Sequence, residues 1–368
     1  MKEIGWAEIG ERIRTARLAN GFTQAVLAQR VGIDRTAVVR IEAGERALSA
    51  IEGARLAAAL DVPLIQLVSA TPPSVASRRP PLVDEVDAPG RQRYLLDSDL
   101  ETHARDTEWL IAQGFLRPPG AGDFGSADNE AEARSIARAA RADLDLRQGP
   151  LGPLADVVEH FALYLVVVDR DAEGASLLLE AGGVAVLGGH AEPGRRRWTA
   201  AHELGHHLLR DAYHSDVGVA AAEQARERII DAFAGEFLLP ERDLRRAWKD
   251  HRGHHDPRRP LMWLSATYRV SWSATVRAAA RADLLPAGRV RGLLAHSPTR
   301  GDLLTTVDGE PAPDLPVGAV GARWRQAVLT AYTAGAITGA RAVELLRGQC
   351  SNFGEDDLPT VDPDSAAP

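Results

Sequence analysis

Two histidines and a glutamate in the segment WTAAHELGHHLL have the spacing of a metal-binding helix. His202 and His206 are four residues apart, so both imidazoles leave one face of a helix and can bind a single Zn²⁺ ion. Glu203 would stand beside the ion without binding it, where its carboxylate can act as catalytic base toward water made more acidic by the metal. The oxyanion formed in hydrolysis needs a further donor, and the sequence does not choose among three: Tyr213, His214 and Tyr268.

A hydrolytic zinc site needs a third protein ligand and an open fourth position. In the segment AAAEQARERIIDAFAGEFLLP, three acidic residues are spaced by four and share one helix face: Glu223, Glu227 and Asp231. Glu227 is favoured as the metal ligand, and Asp231, one turn later, as an acceptor for the second N–H of a ligand histidine. The alternative is that these carboxylates are ordinary solvated charges on a helix.

The segment GFTQAVLAQRVGIDRTAVVRIEAGERALS has the layout of two helices that cross at a sharp turn. Thr23 can cap the first helix, Gly32 permits the turn, and Asp34 can cap the second helix. Three apolar residues of the second helix are assigned to the core: Val38, Val39 and Ile41.

The second of these helices predicts binding to double-stranded DNA. Arg35, Thr36 and Arg40 would point outwards near its N-terminal end, where side chains reach base edges in the major groove. Arginine suits bidentate contact with guanine. Thr23 and Gln24 would hydrogen-bond phosphates from the start of the preceding helix.

The composition restricts where these sites can operate. The net charge of −8 excludes a uniformly basic coat for nucleic acid, although it allows a small DNA-binding module. Cys350 is the only cysteine, so an internal disulfide and a cysteine-rich zinc site are excluded. The N-terminus lacks the apolar stretch of a signal peptide, and the longest apolar run, 161–168, is too short to span a bilayer. We therefore expect a cytoplasmic protein without membrane contact.

The elements around the metal motif predict a mainly helical chain with an α+β part. The run FALYLVVV indicates a buried strand, and ASLLLEA and GVAVLGG indicate two strands joined by a Gly-Gly hairpin. We predict a five-helix DNA-binding domain at 1–70, a linker and helical segment at 71–128, a zincin-like domain with a small sheet at 129–295, and a helical C-terminal extension with a disordered acidic end at 296–368.

The N-terminal segment resembles the XRE (Cro/C1 repressor) helix-turn-helix family. The resemblance rests on TQAVLAQRVGI, on RTAVVRIEAGER and on the following IEGARLAAALDV. It implies a five-helix fold that binds DNA operators, usually as a homodimer on paired half-sites. Glu42 and Glu45 lie close to the reading helix, so a modest affinity is expected.

The later segments resemble the ImmA/IrrE family of zinc metallopeptidases. The resemblance rests on GGVAVLGG, RRRWTAAHELGHHLL and DAFAGEFLLP, followed by SATYRVSWSATVRAAARADLL. It implies His202 and His206 as ligands, Glu203 as the base and Glu227 as the third ligand. The family usually has a Glu-Ala pair where this chain has Ile229 and Ile230; if that nearer glutamate were the ligand, this chain would lack it.

Together the two resemblances predict a transcription regulator with a peptidase domain. Members of the peptidase family cleave repressors, often of the XRE type, so the substrate could be a separate repressor, a partner toxin or another copy of this chain. The alternative is a repressor or composite antitoxin of a toxin–antitoxin pair, whose zinc domain senses or grips a partner without proteolysis. In that case the helical segment AITGARAVELL could bind the partner.

Overall fold

The computed structural model describes residues 4–68, 88–120, 122–210, 220–251, 253, 255–306, 313–346 and 357–359. The predicted fold class is confirmed: the chain is mainly helical, with a helix-turn-helix region at the N-terminus and a three-stranded mixed sheet after it. Within the described ranges, no helix has both the length and the hydropathy needed to cross a membrane.

Five helices form the N-terminal region. Thr23 caps the second helix by accepting a hydrogen bond from the Val26 N–H, and Gly32 ends it in the left-handed conformation (φ 74°), which glycine adopts without strain. Ser49 and Glu52 form a capping box at the start of the fourth. The five are α1 (Trp6–Ala19), α2 (Gln24–Val31), α3 (Arg35–Glu42), α4 (Ala50–Leu60) and α5 (Leu64–Val68).

Helix α6 (Ala88–Ala112) contributes to two hydrophobic cores. Near its N-terminal end, Tyr94 and Leu95 are buried among the five N-terminal helices. Further along, Leu100 and Leu110 are buried with side chains of the sheet. One helix therefore belongs to the packing of both regions.

Polar contacts hold the two regions together around α6. Arg170, just after the first strand, donates to Asp61 at 2.7 Å and to Asp99 of α6 at 3.1 Å. Ser98 of α6 donates to the side chain of Gln66 in α5. The N-terminal region is thus fixed against the sheet by side chains from both sides.

The sheet has the strand order β1-β3-β2, with β1 (Leu163–Val168), β2 (Gly174–Leu179) and β3 (Gly182–Gly188). β1 pairs with β3 in parallel, and β2 pairs with β3 antiparallel. The predicted hairpin is therefore confirmed. Its turn needs glycine, because Gly182 has φ 125° and a Cβ there would lie 2.6 Å from the Ala162 carbonyl oxygen.

Both faces of the sheet are covered. Alternate residues of β1 enter two different cores: Leu163, Leu165 and Val167 on one face, and Tyr164, Val166 and Val168 on the other. The first face packs with α7 (Glu130–Asp143), α8 (Leu154–Glu159), α9 (Pro193–Leu208) and α10 (Ala220–Leu238), and the second with α6, α16 (Ala322–Thr333) and α17 (Gly339–Leu345). The remaining described helices are α11 (Glu241–Asp250), α12 (Arg258–Tyr268), α13 (Trp272–Arg281), α14 (Ala287–Ala295) and α15 (Arg300–Thr306).

The predicted helical pair of the C-terminal extension forms α16 and α17. Glu159, at the end of α8, accepts hydrogen bonds from the backbone N–H groups of Arg323 and Trp324, each at 2.8 Å, and so caps α16 from another element. In α17, Ala342 and Leu345 are buried in the core shared with α6 and the sheet. The apolar face of AITGARAVELL is therefore covered by the chain itself.

Candidate metal centre and DNA-reading surface

Helices α9 and α10 approach closely at Gly205. A Cβ at this position would lie 3.1 Å from Ile230 Cγ2 and 3.1 Å from Phe233 Cδ1. Both neighbours are fully buried, so a larger side chain would push the helices apart. The glycine between the two motif histidines thus lets carboxylates of α10 reach the imidazoles of α9.

Three side chains converge in the groove between α9 and α10, next to this close approach. The Nε2 atoms of His202 and His206 are 3.1 Å apart, and Glu227 Oε2 lies 3.2 Å from His202 Nε2. Glu227 Oε1 lies 3.9 Å from His206 Nε2. One ligand atom from each of the three residues lies within 4.8 Å of the others, which makes the set a group that can hold a metal ion.

The donor set fits a tetrahedral metal better than a hydrogen-bonded cluster. Ligand atoms at tetrahedral corners, with bonds of about 2.05 Å, are separated by about 3.3 Å, which is close to the spacings between these nitrogens and oxygens. A neutral His202 that donates from Nδ1 to Asp231 has only a lone pair on Nε2, and without a metal this lone pair would face the Glu227 carboxylate at 3.2 Å. Two imidazoles and one carboxylate leave a fourth position, as hydrolytic zinc sites do.

Asp231 lies behind His202. Its Oδ1 is 3.1 Å from His202 Nδ1, the ring nitrogen that faces away from Glu227. A carboxylate in this place fixes the ring orientation and leaves Nε2 for a metal. Desolvation disfavours the charged ring, but the hydrogen bonds with Asp231 and Glu227 outweigh it and raise the pKa of His202 from 6.5 to about 9.

A strand of the sheet holds the side chain of Glu203. Ser176 of β2 donates its hydroxyl to Glu203 Oε2 at 2.5 Å, and the glutamate is 3 % exposed. Gly174 of the same strand leaves room for this approach, since a Cβ there would lie 2.5 Å from Thr199 Cγ2 and 3.4 Å from Glu203 Oε1. The motif alone does not indicate Ser176 or Gly174, because both belong to a strand distant in sequence.

Other candidates of the sequence lie elsewhere. The Tyr268 hydroxyl is buried and donates to Asp243 at 2.9 Å, so it is engaged within the core and does not serve as an oxyanion donor in this arrangement. His207 contacts the Phe161 carbonyl oxygen through Nε2 at 2.8 Å and so ties α9 to the start of β1. Two further oxyanion candidates and one acidic side chain of the α10 row fall outside the described residues or side chains: Tyr213, His214 and Glu223.

The DNA-reading candidates lie on the outer side of α2 and α3. Arg35, Thr36 and Arg40 are all exposed, as the sequence predicts. Thr23 uses its hydroxyl to cap α2. Gln24 donates to Glu42 Oε2 at 2.9 Å, so its amide is engaged behind the surface.

Glu42 does not add negative charge to this surface. It is 8 % exposed and accepts two hydrogen bonds from Arg17, at 2.6 and 3.0 Å. The Arg17 guanidinium therefore compensates the negative charge of Glu42, which the sequence predicts to weaken DNA binding. Glu45, the second acidic residue near the reading helix, is exposed.

Two details of α3 differ from expectation. Val39, assigned to the core, is 41 % exposed, because only Val38 and Ile41 lie on the inward face of the helix. Asp34 occupies the N-cap position, but its side chain makes no capping hydrogen bond.

Comparison with known families supports both regions. Residues 13–67 match a family model described as helix-turn-helix, and residues 167–279 match the peptidase M78 model described as IrrE N-terminal-like domain. The second match contains β2, β3, α9 and α10, and hence all the side chains of the metal group. A search of curated proteins found no match. The chain therefore carries an XRE-type helix-turn-helix domain at its N-terminus and an IrrE N-terminal-like domain of the peptidase M78 family after it.

Proposed function

We propose that this protein is a DNA-binding transcription regulator whose second domain is a zinc metallopeptidase that cleaves a protein substrate. The observation that carries the proposal is the convergence of His202, His206 and Glu227 within 4.8 Å, with Glu203 next in sequence to one of the ligands. The substrate is a repressor, a partner protein or a second copy of the chain.

The residues of the centre divide the work of hydrolysis. His202, His206 and Glu227 would hold the zinc ion, and Asp231 would orient the ring of His202. When bound, zinc supplies Lewis-acid chemistry that makes water more acidic and polarises a peptide carbonyl. Glu203 accepts a proton from the attacking water and returns it to the nitrogen of the leaving amine.

Ser176 is proposed to position this base. Its hydroxyl holds one carboxylate oxygen of Glu203 at 2.5 Å and thereby restricts the rotation of the side chain. Because Glu203 is buried beside the ligands, few waters compete for the carboxylate.

The peptidase proposal is tested with Glu203→Gln in the full chain. The variant should bind zinc like the wild type but lose cleavage of its substrate, on the order of 100-fold or more, because the amide cannot take up a proton. Candidate substrates are the proteins encoded next to this chain and the chain itself. If wild type and variant leave all of them equally intact, the peptidase assignment is wrong.

The DNA-binding part is tested separately. Arg35→Ala combined with Arg40→Ala should weaken operator binding by about 1–3 kcal/mol for each base that an arginine no longer reads, measured by gel shift or fluorescence anisotropy. The matched control is Arg55→Ala, an exposed arginine of α4 away from the reading helix. A double variant that binds like wild type would mean that another surface reads DNA. We expect the bound form to be a homodimer on paired half-sites.

A sensor or composite antitoxin is the second candidate, and the contacts around α6 favour it. Since α6 belongs to both cores and Arg170 bridges the regions, a partner or metal bound at the second domain could alter the orientation of the first. Under this alternative, Glu203→Gln changes nothing, while removal of the metal changes operator affinity.

A further inference from the structure

A basic pocket continues the groove that contains the metal ligands. It is walled by α9 and α10 next to the metal group and closed by α7 and α13. Asp231 is shared between the two sites: it contacts His202 and also lines the pocket. On α9, Trp198 lies one helical turn before His202 and on the same side of the helix. The pocket is therefore an extension of the proposed catalytic groove.

Arginines dominate the lining. Five guanidinium groups face two carboxylates, which leaves three positive charges in excess. The arginines are Arg134, Arg195, Arg228, Arg277 and Arg281, and the carboxylates are Glu130 and Asp231. Such an excess in a cleft attracts anions and concentrates them there.

Only part of this charge is neutralised within the protein. Arg134 pairs with Glu130 at 2.7 Å, and Arg195 pairs with Glu173 in the loop before β2. In the part of the chain that the structure describes, no ion pair joins the other three to a carboxylate: Arg228, Arg277 and Arg281. Asp231 is the remaining carboxylate of the lining, so these three arginines leave two positive charges for a ligand to balance.

Arg281 is the arginine of the lining whose pKa departs from its ordinary value. Desolvation by the pocket walls and the like charge of Arg134 lower its pKa from the ordinary value. A Cβ at Gly235 would lie 3.4 Å from Arg281 Nη2 and 3.6 Å from the ring of Trp198, so the small residue of α10 makes room for both groups. A bound anion would relieve the repulsion.

We propose that this pocket is a specificity site for an acidic side chain of the peptide that enters the catalytic groove. The inference rests on the proposed peptidase function and names a feature of its substrate: a glutamate or aspartate, or a short acidic run, near the cleaved bond. Arg277 and Arg281 are the main contacts, because guanidinium forks match carboxylates in two parallel hydrogen bonds.

The position and size of the pocket favour a peptide over nucleic acid. The volume of about 280 Å³ lies just below the usual range of pockets for small molecules and suits one or two side chains. It opens beside the metal group of the second domain, whereas the predicted DNA contacts lie on α2 and α3. Asp231 connects the two sites, since it contacts the ligand His202 and also lines the pocket.

The test measures binding without cleavage. The full chain with Glu203→Gln is titrated with a fluorescein-labelled peptide that contains a glutamate run, and with the same peptide carrying glutamines instead. The glutamate peptide should bind at least about tenfold more tightly, and Arg277→Gln combined with Arg281→Gln should reduce its affinity at least about fivefold. The control is Arg289→Gln combined with Arg291→Gln, two exposed arginines of α14 with the same charge change.

Each outcome decides the proposal. An equal loss of affinity in the Arg289 and Arg291 control would show general charge attraction and overturn the proposal. Equal binding of the glutamate and glutamine peptides would also overturn it. Displacement of the peptide by duplex DNA of random sequence, dependent on Arg277 and Arg281, would make the pocket a nucleic-acid site and also overturn it. Zinc-dependent cleavage by the wild type that shows no acidic preference refutes the pocket alone. Binding of the acidic peptide, together with a wild type that cleaves none of the candidate substrates, refutes the peptidase alone.

Discussion

The proposed DNA-reading surface and the candidate metal centre hold their side chains in opposite ways. Arg35, Thr36 and Arg40 are exposed on α3, and the buried pair of Arg17 and Glu42 lies behind them. In the metal centre the functional side chains are themselves held by partners: His202 by Asp231 and Glu203 by Ser176.

The difference follows from what each site must do. A reading helix meets a partner that is already shaped, so its arginines find their hydrogen-bond partners only in the complex. A hydrolytic centre must present its base and ligands in one geometry before the substrate arrives, because misplacement of reacting groups is costly. The fixed contacts therefore lie beneath the proposed reading surface, whereas in the candidate metal centre they involve the site residues themselves.

The largest effect is expected from breaking the buried pair beneath the reading surface. Arg17→Met leaves Glu42 buried without its cation and should cost the N-terminal region about 3–5 kcal/mol of unfolding free energy. The measurement is hydrogen exchange of the α1–α5 amides in denaturant. Arg14→Met is the control, since its pair with Glu11 is exposed and 3.7 Å long and should contribute less than about 1 kcal/mol. An equal loss of unfolding free energy in the two variants would mean that the buried pair contributes no more than an exposed one.

The second effect depends on pH in the metal-free protein. The folded state raises the pKa of His202 from 6.5 to about 9, so its interaction with the carboxylates stabilises fully below pH 6.5 and disappears as the pH rises through about 9. Relative to His202→Gln, the wild type should lose about 3 kcal/mol of unfolding free energy over this interval. Denaturant unfolding in the presence of a chelator measures it. If the stability of the wild type relative to His202→Gln increases with pH, the charged form of His202 does not stabilise the folded state.

The third effect concerns the carboxylate behind the ligand. Asp231→Ala should weaken zinc affinity by about 10–100-fold, because the His202 ring loses the acceptor that orients it. Competition with a chromophoric chelator gives the affinity. Asp250→Ala, an exposed acid at the end of α11, has the same charge change and should leave it unaltered. Equal losses of zinc affinity in the two variants would mean that Asp231 acts only through its charge and does not orient the ring.

The smallest effect is expected at the strand. Ser176→Ala should lower kcat by about fivefold at unchanged zinc content, since one hydrogen bond of about 1 kcal/mol positions Glu203. An unchanged kcat at unchanged zinc content would mean that Ser176 does not position the base.

Local patterns predicted most of the elements in these regions. The caps and the glycine turn of α2, the hairpin at Gly182 and the four-residue spacing of His202 and His206 each act within a few residues, so the sequence displays them directly. The two carboxylates of α10 were reached by helix periodicity as well. The structure brings Glu227 and Asp231 to the histidines.

Interactions between distant segments were not predictable in this way. Ser176 reaches Glu203 across 27 positions, and Glu42 reaches Arg17 across 25, so neither pairing leaves a periodic trace. Val39 shows the reverse error: its apolar, β-branched side chain predicts a core position, but its angle on the helix turns it outwards.

The shared helix has a practical consequence for dividing the chain. A DNA-binding fragment that stops at residue 70 would strip Tyr94 and Leu95 from its core and leave Gln66 without Ser98. The remaining fragment would in turn present those two apolar side chains to water. Each expressed piece of this protein should therefore include α6, because a piece without it exposes apolar core residues and should aggregate.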